Sequence, residues 1–250
     1  MGPWRLELIR AWRTRRLIVL LGAFVIVGLG DPVLTYYLPE LVRSGPRNGG
    51  VHVFLPRQTA LDGITGVAGS LAELGTLVVA IVAAVTLVFD ARPALAAFYR
   101  TRLRRPVRLV LPRYLVMTAV AVAALAAGTL AAWYETTVLL GSVPAAGLAA
   151  GFALEALWFC FVTSLVVAFA SVVRSAGAAA GSAIAVLLAL ALLGSVSVIS
   201  SWLPTRLSAS LPDLISPNSA GDIWHAVIVA AAAAVLLVVV AVRRLGRREL

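Results

Sequence analysis

Lysine is absent from this sequence of 250 residues, so all 21 of its basic residues are arginine. Without lysine the chain can form neither a P-loop, whose lysine binds nucleotide phosphates, nor a Schiff base. One cysteine, Cys160, excludes an intrachain disulfide and a thiolate metal cluster. We expect it to be a small, buried apolar side chain. With only His52 and His225 present, the H-E-x-x-H motif of a metalloprotease cannot form.

Charged residues are scarce, at 13% of the chain against about 25% in a soluble protein. Hydrophobic residues make up 61%, and they fall in runs of spanning length, which excludes a soluble globule. We therefore predict an all-α integral membrane protein, with residues 1–250 forming a single transmembrane domain of six helices. The predicted spans are about 17–38, 71–89, 114–133, 145–169, 176–199 and 224–242.

The first apolar run is the weakest, because it reaches spanning length only by continuing through Asp31 and Pro32. We interpret it as a kinked span. A cleaved signal peptide is the alternative, since a basic start precedes a short apolar core. Against that alternative, no small-x-small cleavage site follows the core.

The arginines are distributed unequally between alternate loops. The N-terminus, the second and fourth loops and the C-terminus hold 17 of them, and the other three loops hold 4. By the positive-inside rule this places both termini in the cytoplasm. The formal charge of +10 is thereby explained by membrane topology, without a nucleic-acid partner.

The N-terminal segment, residues 3–16, is predicted to be an amphipathic helix. Trp4, Leu8 and Trp12 share one helical face, while Arg10 and Arg13 lie elsewhere. Such a helix lies along the membrane surface, with its indoles at headgroup level and its guanidinium groups near anionic lipid. The alternative is a charged flank that only orients the first span.

The second loop combines arginines with aromatic residues, and we predict a docking helix at residues 92–104. Pro93 suits a first helical position, and Asp90 precedes it near the positive end of the helix dipole. A partner's groove would bind such a helix, whereas a loop that only sets topology does not account for Phe98 and Tyr99. The predicted docking residues are Asp90, Arg92, Phe98, Tyr99, Arg100, Arg102, Arg104 and Arg105.

Glu155 lies within the fourth span beside Trp158, and both are candidate residues of a translocation path. A carboxylate in the membrane interior costs several kcal/mol unless it finds water or a partner. Alternatively, Glu155 reaches the external interface or is protonated and hydrogen-bonded. Two G-x-x-x-G patterns, Gly147 to Gly151 and Gly177 to Gly181, predict close helix packing, either within the bundle or in a dimer.

Three short segments are similar to those of a known transporter family. They are Asp31-Pro32 followed by Tyr37-Leu38-Pro39-Glu40-Leu41, then Arg105-Pro106-Val107-Arg108, and Val173-Arg174-Ser175. With the six-span layout, they make the chain resemble the permease subunits of ABC transporters of the ABC-2 type (type 2 exporters). Many members carry a Gly-Thr pair before the coupling helix, and this chain has none.

The resemblance implies an exporter that moves an amphipathic small molecule, drug, lipid or peptide out of a bacterial cell through its cytoplasmic membrane. Segment 92–104 would be the coupling helix, and 202–223 an external re-entrant segment. This chain would bind no cofactor and catalyse no reaction. ATP and Mg²⁺ would be bound by a cytosolic ABC ATPase subunit, present in two copies, and a second permease would complete a homodimer or heterodimer.

Two other classes of function stay open from the sequence. The first is a membrane-embedded enzyme acting on lipid or peptide, with Glu135, Glu155 or His225 as acid or base. A Ser164 or Ser195 nucleophile with His225 lacks any accompanying glycine-flanked motif. The second is a scaffold that binds cytosolic partners through its arginine-rich loop without transporting anything.

Overall fold

The computed structural model describes residues 3–14, 16–44, 58–88, 107–208, 210 and 223–247. Within these ranges the helices are α1 Pro3–Arg13, α2 Arg16–Ser44, α3 Ala60–Ser70, α4 Thr76–Leu87, α5 Val107–Leu139, α6 Ala145–Ala170, α7 Ala176–Leu193, α8 Ser197–Ser200 and α9 Ile223–Arg247. A π-helical turn, Leu71–Gly75, joins α3 to α4, and a 3-10 turn, Pro204–Leu207, follows α8.

The predictions of an all-helical fold and of six potential spans are confirmed. Among the described residues, six helical segments are long and apolar enough to cross a membrane: α2, the continuous α3–α4 unit, α5, α6, α7 and α9. Large apolar side chains such as Leu192, Ile228 and Val235 are exposed on the outside of the bundle. In a bilayer this surface faces lipid, where exposed apolar groups cost nothing.

The second spanning segment begins eleven residues before its predicted start, at Ala60 rather than Leu71. A capping box begins it: the Thr59 hydroxyl accepts a hydrogen bond from the Asp62 backbone N–H at 3.4 Å. The Asp62 carboxylate in turn accepts one from the Thr59 N–H at 2.7 Å. These bonds satisfy backbone donors that the first helical turn leaves free. The prediction missed α3 because its glycines and Asp62 interrupt the apolar run.

The other boundaries differ by several residues. Helix α2 continues through Asp31 and Pro32, as predicted, and ends at Ser44 instead of Leu38. Helix α5 covers 107–139 rather than 114–133, because it continues into polar residues at both ends. Helix α7 ends at Leu193, six residues before the predicted end, where Gly194 and Ser195 form a turn.

Contacts between helices fix the direction in which each one runs. At one end of the bundle Glu7 contacts Arg113 and Arg16 contacts Thr86. We call this the basic end. At the opposite, distal end, a Cβ on Gly63 would lie 3.4 Å from a methyl carbon of Thr136. Helices α2 and α5 therefore run away from the basic end, and the α3–α4 unit runs towards it.

The closest approach between two helices is the crossing of α2 and α5 at Gly28 and Gly128. A Cβ on Gly128 would lie 2.7 Å from the Phe24 carbonyl oxygen, and one on Gly28 would collide with the Gly128 carbonyl oxygen. Only glycine leaves room for the two backbones here. This contact joins the first and third spans midway between the two ends.

The second G-x-x-x-G pattern does not pack α7 against another described helix. A Cβ on Gly177 or Gly181 would meet no described atom within 4 Å, so both glycines face outward. Gly151, in the first pattern, is buried on α6. The two patterns thus lie in different environments.

The predicted re-entrant segment, 202–223, is described only at 202–208, 210 and 223. Its 3-10 turn packs against α6 and α9, and Leu207 is buried there. The indole of Trp202 lies 4.3 Å from the imidazole of His225, measured between ring centroids. These contacts hold the chain after α8 against the first turn of α9.

Candidate functional site

The π-helical turn is the irregular part of the second spanning segment. The Thr76 N–H donates to the Leu71 carbonyl oxygen, five residues earlier, instead of only to oxygens at the usual spacing. Gly75 faces the core, where an added Cβ would lie 3.2 Å from the Phe24 ring. Isolated π turns often occur at functional sites because they widen the helix and redirect side chains.

Glu155 lies at the same depth as this π turn. Leu148, seven residues before it on α6, belongs to a buried cluster with Ile64 and Ala68 of α3. Trp158, three residues after it, donates from Nε1 to the Thr76 hydroxyl at 2.8 Å. Because α6 and the α3–α4 unit run in the same direction, Glu155 is level with the residues between Ala68 and Thr76.

The Glu155 carboxyl is buried without a partner. Its side chain is 1% exposed, and neither carboxyl oxygen has a hydrogen-bond partner among the described residues. A charged carboxylate in an apolar interior costs several kcal/mol, and an unpaired neutral one also loses its hydrogen bonds to water. An intramembrane carboxyl of this kind is a functional candidate.

Trp158, the second predicted path residue, lies in the same region. It is buried, and its indole packs at 5.6 Å from the Phe161 ring. The next residue, Phe159, contacts Phe24 edge to face, also at 5.6 Å between centroids. Glu155 and Trp158 are thus close on one face of α6, and both lie inside the bundle of a single chain.

Towards the basic end, two further hydrogen-bonded pairs connect α5 to α6. The Tyr114 and Ser164 hydroxyls lie 3.0 Å apart, and those of Thr118 and Thr163 lie 2.9 Å apart. Interhelical bonds of this kind contribute about 0.6 kcal/mol each in membranes. With Trp158 and Thr76 they form a polar path along α6 inside an otherwise apolar core.

A cluster of charged residues at the basic end was not predicted as a site. The Glu7 carboxylate accepts from Arg113 Nε and from Arg10, at 3.0 Å in each case. Arg16 donates to the Thr86 hydroxyl at 3.2 Å. From the sequence, Arg16 and Arg113 are topology signals only, and Arg10 is expected near anionic lipid. The available indication was Glu7, an acidic residue in a strongly basic segment.

The two predicted interfacial tryptophans are both exposed on α1. The side chain of Trp12 is 81% exposed, and Trp4, two turns earlier on the same face, is about half exposed. Glu7 is on another side of α1 and contacts α5. Helix α1 thus exposes its two tryptophans and contacts α5 through Glu7, and its position along a membrane surface stays a prediction.

The predicted coupling helix, 92–104, and the docking residues from Asp90 to Arg105 all lie in segment 89–106, outside the described residues. The positions that flank this segment are described. Thr86 lies before it on α4 and Arg113 lies after it on α5, both at the basic end.

Among the described residues, neither of the serines considered for an enzyme is hydrogen-bonded to His225. Ser164 donates to the Cys160 carbonyl oxygen at 2.6 Å, while His225 is in the first turn of α9 beside Trp202. The Ser195 hydroxyl donates to the Leu192 carbonyl oxygen. Within the described ranges, no group of three or more His, Cys, Asp or Glu side chains could hold a metal ion.

The fold defines a multi-pass membrane protein. The chain is similar to YxlG of Bacillus subtilis (strain 168), an uncharacterized transmembrane protein, with 26% identity over 237 residues. The similarity covers 87% of this chain and 85% of that protein. No protein-family model matches the sequence.

Proposed function

We propose that this chain is the permease subunit of an ATP-driven ABC exporter in a bacterial cytoplasmic membrane, with both termini inside. It moves an amphipathic small molecule, drug, lipid or peptide outward. Because the chain contains no lysine, it has no P-loop of its own, and the energy comes from a separate ATPase subunit that binds ATP and Mg²⁺. Two such subunits and a second permease complete the complex.

One observation supports this proposal most directly. The arginine-rich segment 89–106 is flanked by two contacts at the basic end, Arg16 with Thr86 and Glu7 with Arg113. A motor subunit that pushes or pulls this segment therefore acts on α1, α2, α4 and α5 together. Such a rigid connection suits a loop that transmits motion from a motor to the spans.

The amphipathic helix α1 fits the same role. Its exposed tryptophans face the headgroup region, while Glu7 ties it to α5. Motion at the basic end would move α1 along the membrane surface and the spans together. Glu155 lies inside the bundle beside the π turn and Trp158. When the spans switch between inward and outward access, the surroundings of its carboxyl group change.

The docking segment can be tested with paired variants. Phe98→Ala combined with Arg100→Ala removes one aromatic and one basic docking group, and Arg243→Ala combined with Arg247→Ala is the control, at a different cytoplasmic segment. We expect the first pair to lose co-purification of an ATPase subunit and the control pair to retain it. Equal recovery of the ATPase in both pairs contradicts docking at 92–104.

A further inference from the structure

Helices α5 and α6 separate towards the distal end and leave a cleft between them. Its volume is about 320 Å³, at the lower end of the range of about 300–1,000 Å³ typical of small-molecule sites. We call it the α5–α6 cleft. Its walls include Ala126, Thr129, Leu130 and Trp133 of α5 with Leu148 and Phe152 of α6.

The cleft opens sideways, into the membrane region. Leu130, on its wall, and Tyr134, next to Trp133, are both more than half exposed on the outside of the bundle. Because a spanning helix exposes such residues to lipid, the molecules that reach this opening are components of the bilayer. The apolar walls suit a hydrocarbon chain.

One polar group interrupts these walls. Thr129 is 7% exposed, and its hydroxyl has no hydrogen-bond partner among the described residues. A buried hydroxyl without a partner is unfavourable, and a ligand oxygen in the cleft would satisfy it once the Thr129 side chain rotates towards the cleft. By contrast, the hydroxyl of Thr137, two turns along α5, donates to the Trp133 carbonyl oxygen at 2.7 Å.

The depth of Thr129 in the membrane indicates which ligand oxygen would accept a hydrogen bond from its hydroxyl. It lies one helical turn, about 6 Å, closer to the bilayer centre than Trp133. Aromatic side chains such as Trp133 and Tyr134 mark the membrane interface. One turn below the interface, a phospholipid has its ester carbonyls and the start of its acyl chains.

We propose that the α5–α6 cleft binds a bilayer phospholipid. One acyl chain lies between Ala126 and Phe152, and an ester carbonyl accepts a hydrogen bond from the Thr129 hydroxyl. The site would belong to the protein whether or not it is a transporter.

The test uses the full chain in vesicles of phosphatidylethanolamine and phosphatidylglycerol, with a phosphatidylethanolamine that carries a photoreactive diazirine on one acyl chain. After illumination, mass spectrometry locates the labelled residues. We expect labelling of 126–133 and 145–152 to exceed that of Leu188 and Leu192, which are exposed on α7. Equal labelling of the two regions overturns the proposal.

Two variants with matched controls make the test specific. Ala126→Leu fills the cleft and should reduce its labelling several-fold, whereas Ala185→Leu, on the exposed face of α7, should not. Thr129→Val should weaken labelling about fivefold, as expected for one lost hydrogen bond, whereas Thr137→Val should leave it unchanged. Unchanged labelling in Ala126→Leu, or equal labelling in the two threonine variants, overturns the proposal. So does cross-linking of two chains through 126–133, which would make a second copy the occupant.

Discussion

Glu7 and Arg113 are 106 positions apart in the sequence and 3.0 Å apart in the structure, measured from the carboxylate oxygen to Nε. Arg113 is 8% exposed, so this ion pair is largely removed from water. It attaches the N-terminal helix to the third span beside the segment that we propose to bind the motor. Removing one partner of a buried ion pair is destabilising, because the remaining charge loses that interaction without regaining water.

Glu7→Gln should therefore destabilise the basic end. Breaking a buried ion pair costs about 3–5 kcal/mol, and we expect the lower end of that range because Glu7 retains some exposure. Limited proteolysis should cut after Arg13 faster, and the thermal unfolding temperature should fall. Glu40→Gln is the control, since Glu40 is exposed on α2. If the two variants behave alike, the Glu7–Arg113 pair does not hold α1 in place.

The α2–α5 crossing predicts a sharp contrast between glycines of one helix. Gly28→Ala places a Cβ against the Gly128 carbonyl oxygen, so the two backbones must separate. We expect destabilisation of about 3 kcal/mol or more. Gly22→Ala and Gly30→Ala, where an added Cβ meets nothing within 4 Å, should be tolerated. Thermal unfolding in detergent measures the stability of all three variants. Equal stability of Gly28→Ala and Gly30→Ala contradicts the close approach of the α2 and α5 backbones.

We expect the buried Glu155 carboxyl to lower the free energy of unfolding and to be required for activity. Glu155→Leu replaces an unpartnered buried carboxyl by an apolar side chain of similar size, and should raise stability by about 1 kcal/mol or more. Glu155→Gln retains the shape and hydrogen-bonding capacity but cannot carry charge. We expect both variants to lower ATP hydrolysis by the purified transporter complex. Unchanged hydrolysis in Glu155→Gln would assign this residue a structural role only.

The π turn can be removed by deleting one residue. Deletion of Leu74, which is exposed within the turn, lets the segment close into a regular α-helix while the buried faces of α3 and α4 keep their positions. We expect this variant to insert and unfold normally but to lose ATP-coupled activity. Deletion of Ile81, also exposed, instead rotates buried residues such as Ala83 out of the core and should prevent folding. Full activity without Leu74 contradicts a functional π turn.

The long apolar runs predicted the six spans, because the length of an apolar run can be read directly from the sequence. The capping box at Thr59 and Asp62 could also have been recognised from the sequence, and with it the early start of α3. The π turn could not be recognised from the sequence, and neither could the position of Glu155 at the same level in the bundle. They depend on how α6 packs against α3 and α4, which single-sequence periodicity does not contain. The pairing of Glu7 with Arg113 is likewise a long-range contact.

The proposed transporter role is tested most directly by purifying the tagged chain from its native membrane in mild detergent and identifying the proteins bound in stoichiometric amounts by mass spectrometry. We expect an ATPase with a P-loop and an ABC signature motif, and with it either a second copy of this chain or a related six-span permease. Recovery of the chain without any ATPase, even after chemical cross-linking in the membrane, would contradict the proposed function.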